Sequence, residues 1–416
     1  MPNQPLKNLR LMSRSNTLIV PFWALITCGC LIGAISFGSR AGMGLYLNDI
    51  SVSFFDNQTA ILSWSIAIQN LIWGAVSPFA GTFADKYGAG KSLVIGAVLY
   101  AAGLALMPHS DAPMLMHITA GIMVGVGVAF ASFSIVTATF GRKVKPEKRS
   151  LAFGVGVASG SVGQLVLVPV ASFLIGNYGW EIALYGMAGI TLLIVPLALA
   201  VTGKGEPEVG QPDQTVRQAF AEAFGHRSYI LLFLGFFVCG FHVAFIQTHL
   251  PKYIQDNALP LWLGGASLAI VGATNIIGTF GAGWLGDKYS KRSTLSMIYF
   301  LRAAAIAAFI IVPLSSWSVI VFSAALGVLW LSTVPLTTGL VAQFFGMRYM
   351  AGLFGLVFFG HQLGAFLGVV LGGELRDATG SYEIVWWIGA ALGVFAGLIH
   401  LPIKEAPVAR LSLTSA

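Results

Sequence analysis

Long apolar segments, separated by short polar connections, make up most of the chain. A helix that crosses the hydrocarbon layer of a membrane needs about 20 mostly apolar residues, and twelve stretches lie close to or above that length. We number them helix 1 to helix 12, over residues 17–47, 58–82, 91–108, 112–140, 149–176, 180–202, 228–251, 259–285, 291–312, 315–343, 347–375 and 382–402. The pattern predicts an all-α polytopic membrane protein.

The long polar connection lies in the middle of the chain, over residues 203–227. It is rich in Gly and Pro, which is typical of irregular structure, and residues 216–223 could form a short surface helix. This connection divides the chain in two. We predict an N-terminal six-helix half (1–202), a cytoplasmic central loop (203–227), a C-terminal six-helix half (228–402) and a cytoplasmic tail (403–416).

The two halves also repeat in sequence at an interval of about 200 residues, a test that precedes any motif search. The recurring pairs are Gly81 and Gly283, Asp85 and Asp287, Lys86 and Lys288, Tyr87 and Tyr289, Gly154 and Gly355, Gly163 and Gly364, and Gly179 and Gly380, while Gly38-Ser39-Arg40 corresponds to Gly240-Phe241-His242. We therefore expect two pseudo-symmetric six-helix bundles, with a substrate site between them near the membrane midplane.

The segment that follows helix 2 carries a motif. Gly81-x-x-x-Asp85-Lys86-x-Gly88-x-Gly90-Lys91 resembles the loop signature of the major facilitator superfamily, and residues 283–292 resemble a second copy. The resemblance implies the twelve-helix fold of that superfamily and alternating access. Because such polar ties must break and reform as the halves rock, we expect gating by these pairs and not substrate binding; the alternative is that they merely face water. The gating residues are Asp85, Lys86, Asp287 and Lys288.

Composition agrees with the membrane prediction, since 56% of residues are hydrophobic and only 9% are charged, against about 25% in soluble domains. Lys and Arg gather in the connections on one side of the membrane, and Lys252 and Arg376 fall on the other. Short cytoplasmic loops hold most Lys and Arg, so we predict an inner (plasma) membrane protein with both termini in the cytoplasm. The net charge of +7 then faces anionic lipid and gives no reason to expect nucleic acid.

Ionisable residues inside a span are functional candidates by default. No Asp or Glu falls well inside a predicted helix, but Arg40 lies about 13 Å from the outer end of helix 1. Gly33, Ser36 and Gly44 share its helical face, which suits a polar cavity wall. We predict that Arg40 binds an anion; the alternative is a structural Arg bonded to carbonyl groups of a neighbouring helix.

Arg302 is expected to be structural, with bonds to helix 8 or helix 10, because helix 9 belongs to the outer scaffold in the superfamily that the motif resembles. His242 occupies the position equivalent to Arg40, and His361 lies near the midplane. With an unperturbed pKa of about 6.5, either His can carry a proton, or each can be a satisfied hydrogen-bonding group. The predicted substrate site comprises Arg40, His242, His361, Asn275, Trp330 and Gln164, with His361 and His242 also assigned to proton coupling.

Residues 36–46 look like helix 1 of bacterial members of the monocarboxylate transporter group, which is related to oxalate-formate exchangers. The resemblance places Arg40 at the basic position of that group and implies transport of small organic acids with protons or by exchange. The sequence departs from the group in helix 8, where an Arg, often paired with an Asp, is usual. Residues 271–278 offer only Thr274 and Asn275 there.

Motifs of enzymes, nucleotide-binding loops and Cys/His metal sites are absent from the sequence. We therefore predict no catalytic residues, no metal and no cofactor. The prediction is a monomeric secondary active transporter in the lipid bilayer that moves a small organic anion, in particular a monocarboxylate, with a proton as co-substrate. An efflux transporter for amphipathic drugs or metabolites and a transporter-like sensor remain as alternatives, and the direction of transport stays open.

Overall fold

The computed structural model describes residues 21–143, 149–201, 215–346 and 350–408. Within these ranges it contains 12 helices that are long and apolar enough to cross a membrane, so the predicted all-α architecture is confirmed. Their bounds are Phe22–Ala41 with Met43–Tyr46 and Leu47–Phe54 for helix 1; Thr59–Tyr87 for helix 2; Ala89–Leu106 with Met107–His109 for helix 3; Pro113–Met116, His117–Met123, Val124–Phe130 and Phe133–Lys143 for helix 4; Arg149–Tyr178 for helix 5; Trp180–Leu192 with Ile194–Ala198 for helix 6; Arg227–Asp256 for helix 7; Trp262–Lys288 for helix 8; Lys291–Ile311 for helix 9; Ser316–Leu329 with Thr333–Phe345 for helix 10; Met350–Thr379 for helix 11; and Glu383–His400 for helix 12.

The two ends of the helix bundle differ in charge. We call the end that carries Asp49, Asp256, Glu374 and Asp377 the acidic face, and the end that carries Asp287, Lys288, Arg292 and Lys404 the basic face. Buried apolar side chains form two clusters, one drawn mainly from helices 1–6 and one from helices 7–12. Large exposed apolar residues such as Trp23 and Leu199 lie on the outside of the bundle, the surface that lipid covers in a membrane.

Close helix crossings recur at equivalent positions in the two halves. A Cβ atom added to Gly163 of helix 5 would collide with the Ala34 main chain of helix 1, and one added to Gly364 of helix 11 would collide with the Phe237 main chain of helix 7. Only glycine permits backbones to approach this closely. The predicted repeat therefore appears in the structure as the same crossing of helices 1 and 5 and of helices 7 and 11.

Helices 4 and 10 are both interrupted, again at equivalent positions. The breaks fall at residues 131–132 and 330–332. Inside a membrane the main-chain groups that a break sets free need protein partners. At residues 131–132 the Ser132 hydroxyl accepts a bond from the Ser134 amide at 3.1 Å, whereas helix 10 uses side chains from helices 8 and 9, described below.

The polar connections on the basic face are tied to the bundle. The helix expected over residues 216–223 runs over Val216–Gly225 and begins with a capping box of Thr215 and Gln218. After helix 12, which ends the C-terminal half, the Glu405 carboxylate accepts bonds from the Ser290 hydroxyl and the Arg292 amide, both at 2.7 Å. The start of the predicted tail thus holds the N-terminus of helix 9.

Substituting Gly364 with Ala should lower the melting temperature of the protein in detergent. The added methyl group forces helices 7 and 11 apart, and overpacking of this kind costs on the order of 1–3 kcal/mol. The matched control is Gly355→Ala in the same helix, where no atom lies within 4 Å of the added Cβ. Equal melting temperatures for the two variants would contradict the tight crossing.

Candidate functional site

Arg40 lies at the point where the α-helical part of helix 1 gives way to a tight turn at Met43–Tyr46. Its side chain is 8% exposed. The guanidinium donates to Asn70 Oδ1 of helix 2 and lies over the Trp73 ring, 4.7 Å from its centroid. Asn70 Nδ2 donates to the Ile66 carbonyl at 2.9 Å, which fixes the amide with its oxygen toward Arg40.

The charge of Arg40 has no anionic partner among the described residues. A hydrogen bond to a charged group contributes about 1.5–3 kcal/mol and a cation–π contact about 0.5–2 kcal/mol. These gains are comparable with the cost of about 2.5–3.5 kcal/mol for an Arg at the membrane centre on insertion scales. Arg40 is thus tolerated by two neutral partners, and its positive charge remains available to a ligand.

A small cavity adjoins Arg40 between helices 1, 2 and 7. It is lined by Arg40, Met43, Gly44, Ile66, Gln69, Ala244, Gln247 and Thr248. Three polar atoms among these residues, Arg40 Nε, Gln69 Oε1 and Gln247 Nε2, are buried without a hydrogen-bond partner. Buried polar groups in native proteins are nearly always satisfied, so two donors and one acceptor in one cavity indicate a binding site for a polar ligand or water.

The volume of this cavity is about 10 Å³, which is the room that a single water molecule needs. An organic ligand that reaches Arg40 therefore requires helices 1 and 2 to move away from helix 7. Helices 1 and 2 belong to one half of the protein and helix 7 to the other. Binding and movement of the halves are consequently linked at this position.

Aromatic rings connect Arg40 to the second half. Trp73 contacts Phe358 of helix 11 edge to face at 5.3 Å, and Phe358 stacks on the His361 imidazole at 5.6 Å. His361 is 7% exposed, and its Nδ1 lies 3.2 Å from Gln362 Oε1. Two of the predicted site residues, Arg40 and His361, thus lie at opposite ends of one aromatic bridge between the halves.

His242 and Trp330 lie elsewhere. The Nε2–H of His242 donates to the Gly389 carbonyl of helix 12 at 2.7 Å, so the ring faces the scaffold of its own half. Trp330 belongs to the break of helix 10 and is buried in the apolar core of the C-terminal half. Neither residue lines the cavity next to Arg40. Their assignment to the substrate site stays a prediction without support from this geometry.

Gln164 and Asn275 join the halves along helices 5 and 8. Gln164 Nε2 donates to the Leu268 carbonyl at 2.8 Å, and Asn275 Nδ2 donates to the Ser161 hydroxyl at 2.9 Å. Asn275 Oδ1 also accepts from the Leu331 amide at 2.9 Å, which satisfies the break in helix 10. Both amides are committed to protein partners in this conformation, so any role in substrate binding requires these bonds to open.

Arg302 has the structural role that the sequence predicted. Its Nε donates to the Leu329 carbonyl at 3.0 Å, and its Nη2 donates to the carbonyls of Leu329 and Trp330. These are carbonyl groups at the break of helix 10. The guanidinium from helix 9 therefore supplies hydrogen bonds that the interrupted helix cannot supply itself.

The sequence argument missed Gln69, Asn70, Trp73 and Gln247. A signal was present, because Gln69 and Asn70 form an adjacent polar pair inside the otherwise apolar helix 2. Asn70 and Trp73 also lie three positions apart, which places them on one helical face. A search restricted to ionisable groups passes over such neutral residues, although they hold and surround Arg40.

The halves are joined by polar contacts on the acidic face. Asp377 of helix 11 accepts from the Thr59 amide and hydroxyl at 3.2 and 2.8 Å and from the Ala60 amide at 2.8 Å. Arg376 donates to the Asn57 carbonyl at 3.1 Å, and the Trp64 indole donates to Glu374 at 2.6 Å. We call Glu374, Arg376 and Asp377, with these partners, the acidic-face latch.

Lys252 of helix 7 adds to the closure of this face. Its ammonium group donates to Asn48 Oδ1 at 3.0 Å across the boundary between the halves and pairs with Asp256 at 2.6 Å. Asp256 in turn pairs with Arg376 at 3.3 Å. The two cations expected on this side of the membrane therefore both take part in closing it.

Glycines at both faces have open space around them, and Gly176 and Gly380 of the acidic face have no atom within 4 Å of an added Cβ. No atom lies within 4 Å of a Cβ added to Gly81 or Gly283, the first glycines of the two motif copies, or to Gly355. Asp287 and Lys288 are exposed, and the Lys288 ammonium lies 4.2 Å from the Trp284 ring centroid. The side chains of Asp85 and Lys86 lie outside the described part of the structure, so the gating role of all four residues stays a prediction.

These features define a class of protein. Two repeated six-helix halves meet at a buried polar cavity and are fastened at one face, which is the arrangement of a multi-pass membrane transporter. The chain belongs to the Major Facilitator Superfamily, whose family model matches residues 25–368. The predicted membership is confirmed, and the chain is a transporter and not an enzyme.

Relatives and solved structures agree with this class. The chain is 28% identical over 387 residues to the uncharacterized MFS-type transporter YcxA of Bacillus subtilis (strain 168), covering 91% of this chain and 92% of that protein. It is 25% identical over 399 residues to monocarboxylate transporter 11 of Homo sapiens, covering 92% and 83%. A crystal structure of a D-xylose-proton symporter aligns with a TM-score of 0.75 at 15% identity, over 93% of this chain and 99% of that one, a likeness that concerns the fold.

Substituting Asp377 with Ala should open the acidic face. The change removes three hydrogen bonds to a carboxylate at the N-terminus of helix 2, and bonds to charged groups contribute about 1.5–3 kcal/mol each. Spin labels at the exposed positions Val52 and Leu261 report the separation of the halves by double electron–electron resonance. We expect a longer distance population in Asp377→Ala and not in Asp111→Ala, which removes an exposed carboxylate of the same face. Identical distance distributions would show that the latch does not hold the halves together.

Proposed function

We propose that this protein is a secondary transporter that moves a small organic anion, in particular a monocarboxylate, across the inner membrane by alternating access, with a proton as co-substrate. The observation that carries the proposal is the buried Arg40, which is held by Asn70 and Trp73 and has no carboxylate partner in the described chain. A carboxylate substrate would complete the charge balance at this position.

The chemistry around Arg40 favours an anion over a cation. Arg40 and Gln247 offer donors toward the cavity, and Gln69 offers an acceptor for a further polar group of the substrate. Efflux of cationic drugs would need an embedded carboxylate, and the described Asp and Glu residues lie at helix ends or in connections. Several relatives bear the name monocarboxylate transporter, with the numbers 11, 12 and 13, which agrees with a carboxylate substrate here.

Alternating access follows from the asymmetry of the two faces. With the basic face in the cytoplasm, as the distribution of Lys and Arg predicts, the acidic-face latch closes the outward side in the present conformation. Release of the acidic-face latch and closure of the basic face would then expose Arg40 to the outside. We expect Asp85, Lys86, Asp287 and Lys288 to form ties on the basic face in that second conformation.

Proton coupling addresses an electrical problem. Uptake of an anion against an inside-negative potential is opposed by about 2.3 kcal/mol per charge per 100 mV, and co-transport of one proton cancels this term. His361 is the proposed carrier because it lies at the far end of the aromatic bridge from Arg40. A histidine titrates in the physiological range when unperturbed.

Substituting Arg40 with Ala should abolish exchange of radiolabelled monocarboxylates in proteoliposomes. Loss of a charged hydrogen-bond donor of about 1.5–3 kcal/mol weakens binding by at least about tenfold. Arg40→Lys keeps the charge but loses the planar fork, so it should retain partial activity with a higher KM.

The matched control for Arg40→Ala is Arg217→Ala, which removes an exposed arginine of the helix Val216–Gly225 and should transport normally. The panel contains monocarboxylates, dicarboxylates, aromatic acids and cationic amphiphiles. Full exchange by a correctly inserted Arg40→Ala protein would refute the assignment. Transport of the cationic compounds alone would establish the efflux alternative.

Substituting His361 with Gln should separate exchange from accumulation. Glutamine preserves hydrogen bonding but cannot titrate, so substrate exchange continues while a pH gradient no longer drives accumulation. Transport of one proton per anion gives about tenfold accumulation per pH unit, since one pH unit corresponds to about 1.36 kcal/mol.

The control for this prediction is His109→Gln, which alters an exposed histidine of the acidic face that contacts Tyr185 at 2.9 Å. It should accumulate substrate as the unmodified protein does. Retained accumulation in His361→Gln, driven by a pH gradient alone, would mean that the proton travels by another route.

A further inference from the structure

A second buried guanidinium group lies in the C-terminal half and poses a charge problem of its own. Arg302 is 1% exposed and donates to the Leu329 and Trp330 carbonyls. Those partners are neutral, and no carboxylate pairs with Arg302 in the described ranges. Arg stays protonated in proteins, and a buried charge without a counter-charge is costly. The carbonyl bonds offset part of that cost, and an anion close to Arg302 would lower it further.

The group in contact with Arg302 that can supply an anion is a thiol. Arg302 Nη1 donates to Cys239 Sγ of helix 7 at 3.3 Å. The same sulfur lies 3.3 Å from the Thr333 hydroxyl, just beyond the break in helix 10. Cys239 is fully buried. A thiolate here would receive two hydrogen bonds, one of them from a cation.

His361 belongs to the same cluster. Its imidazole contacts the ring of Phe236 at 4.9 Å, and Phe236 lies three residues before Cys239 on helix 7. Helices 7 and 11 are forced together at this level, because a Cβ at Gly240, next to Cys239, would collide with the His361 carbonyl oxygen. Cys239 thus contacts the Arg302 cation and lies on the stretch of helix 7 that packs against His361.

We propose that Cys239 is a thiolate that acts as the counter-anion of Arg302 and positions the transported proton on His361. The inference rests on the proposed function and deepens it by naming the residues that make coupling possible without an embedded carboxylate. The S–H bond of Cys239 breaks, its proton goes to water, and the sulfur keeps the electron pair, so the proton that His361 binds during transport meets a cluster with a negative charge beside Arg302. No electron transfer is involved.

Charge counting explains why the thiolate matters. With a neutral thiol, protonation of His361 would place two positive charges in one buried cluster. With a thiolate, the cluster of Arg302, Cys239 and His361 alternates between neutral and a single positive charge as His361 loses and gains its proton. Single charges are far less costly to bury than uncompensated pairs of like charge. Cys239 therefore makes titration of His361 possible beside Arg302.

The other titratable groups around the cluster each hydrogen-bond to a main-chain carbonyl. Tyr299 of helix 9 donates its hydroxyl to the Gly235 carbonyl at 2.7 Å and stacks on His400 of helix 12 at 5.0 Å. His400 bonds to the Ala396 carbonyl at 2.7 Å, and His242 of helix 7 bonds to the Gly389 carbonyl at 2.7 Å. From helix 10 the facing group is the Thr333 hydroxyl, which does not titrate. The Tyr299 ring also contacts Arg302, 5.3 Å from its Cζ, but the thiol is the acidic group that accepts a hydrogen bond from Arg302.

The test combines spectroscopy with transport. Infrared difference spectra between protein with Cys28 and Cys30 replaced by Ser and the same protein that also carries Cys239→Ser isolate the S–H stretching band of Cys239. We expect that band to be absent at neutral pH. A Cys239 S–H band at neutral pH would overturn the inference, and this measurement needs no transport activity.

Transport supplies the second readout. Cys239→Ser keeps a hydrogen-bonding group but cannot form an anion, so pH-driven accumulation should fall from about tenfold per pH unit to none, while monocarboxylate exchange persists. Cys28→Ser, the same change at a half-buried cysteine of helix 1, should accumulate normally. Full accumulation in Cys239→Ser would refute the role of the thiolate and leave the proposed function intact. Absence of exchange in the unmodified protein would instead refute the proposed function.

Discussion

The hydrocarbon interior of a membrane supplies no hydrogen bonds, so every polar group placed there must be satisfied by the protein. This constraint organises the structure at each level. It explains why the described spans are helices and why the break in helix 10 recruits Arg302 and Asn275 from neighbouring helices. It also explains why buried polar groups without a hydrogen-bond partner matter. Such a group can bond to a ligand, or to another part of the protein in a second conformation.

The two membrane-embedded arginines illustrate the difference between support and site. Arg302 makes several hydrogen bonds to carbonyl groups that a broken helix has left free, and it is enclosed by its own half. Arg40 makes one bond to an amide, rests on an indole ring, and keeps a buried nitrogen without a partner beside a cavity between the halves. The same side chain thus serves as a brace in one half and as a candidate ligand-binding group in the other. The two roles differ in how many of the guanidinium N–H groups are hydrogen-bonded: most of them in Arg302, and fewer in Arg40.

The sequence predicted those features that depend on the length of apolar segments and on glycines that recur in the two halves. Apolar length predicted the spans, and paired glycines predicted a repeat that the structure shows as matched helix crossings. Helix 1 was predicted to end at residue 47, yet it continues to Phe54 after a tight turn, because Asn48 and Asp49 lie at a polar boundary that hydropathy reads as an end. The direction of a side chain depends on helix rotation, which single-sequence periodicity cannot provide in helices that are apolar all round. This is why the orientation of His242 toward helix 12 and the bridge through Trp73 and Phe358 could not be predicted.

The three helix 11 residues of the acidic-face latch, Glu374, Arg376 and Asp377, lie within a single turn at one end of that helix. In a transporter that works by alternating access, such a latch has to seal the membrane and still release once in every cycle. Every 1.4 kcal/mol or so added to it would slow opening by about tenfold, and every similar loss would let the open face persist without substrate. A stronger latch therefore lowers the rate of transport, and a weaker one lets the membrane leak. Both properties depend on residues 374–377, so small changes in this segment would adapt the transporter to a scarce or an abundant substrate.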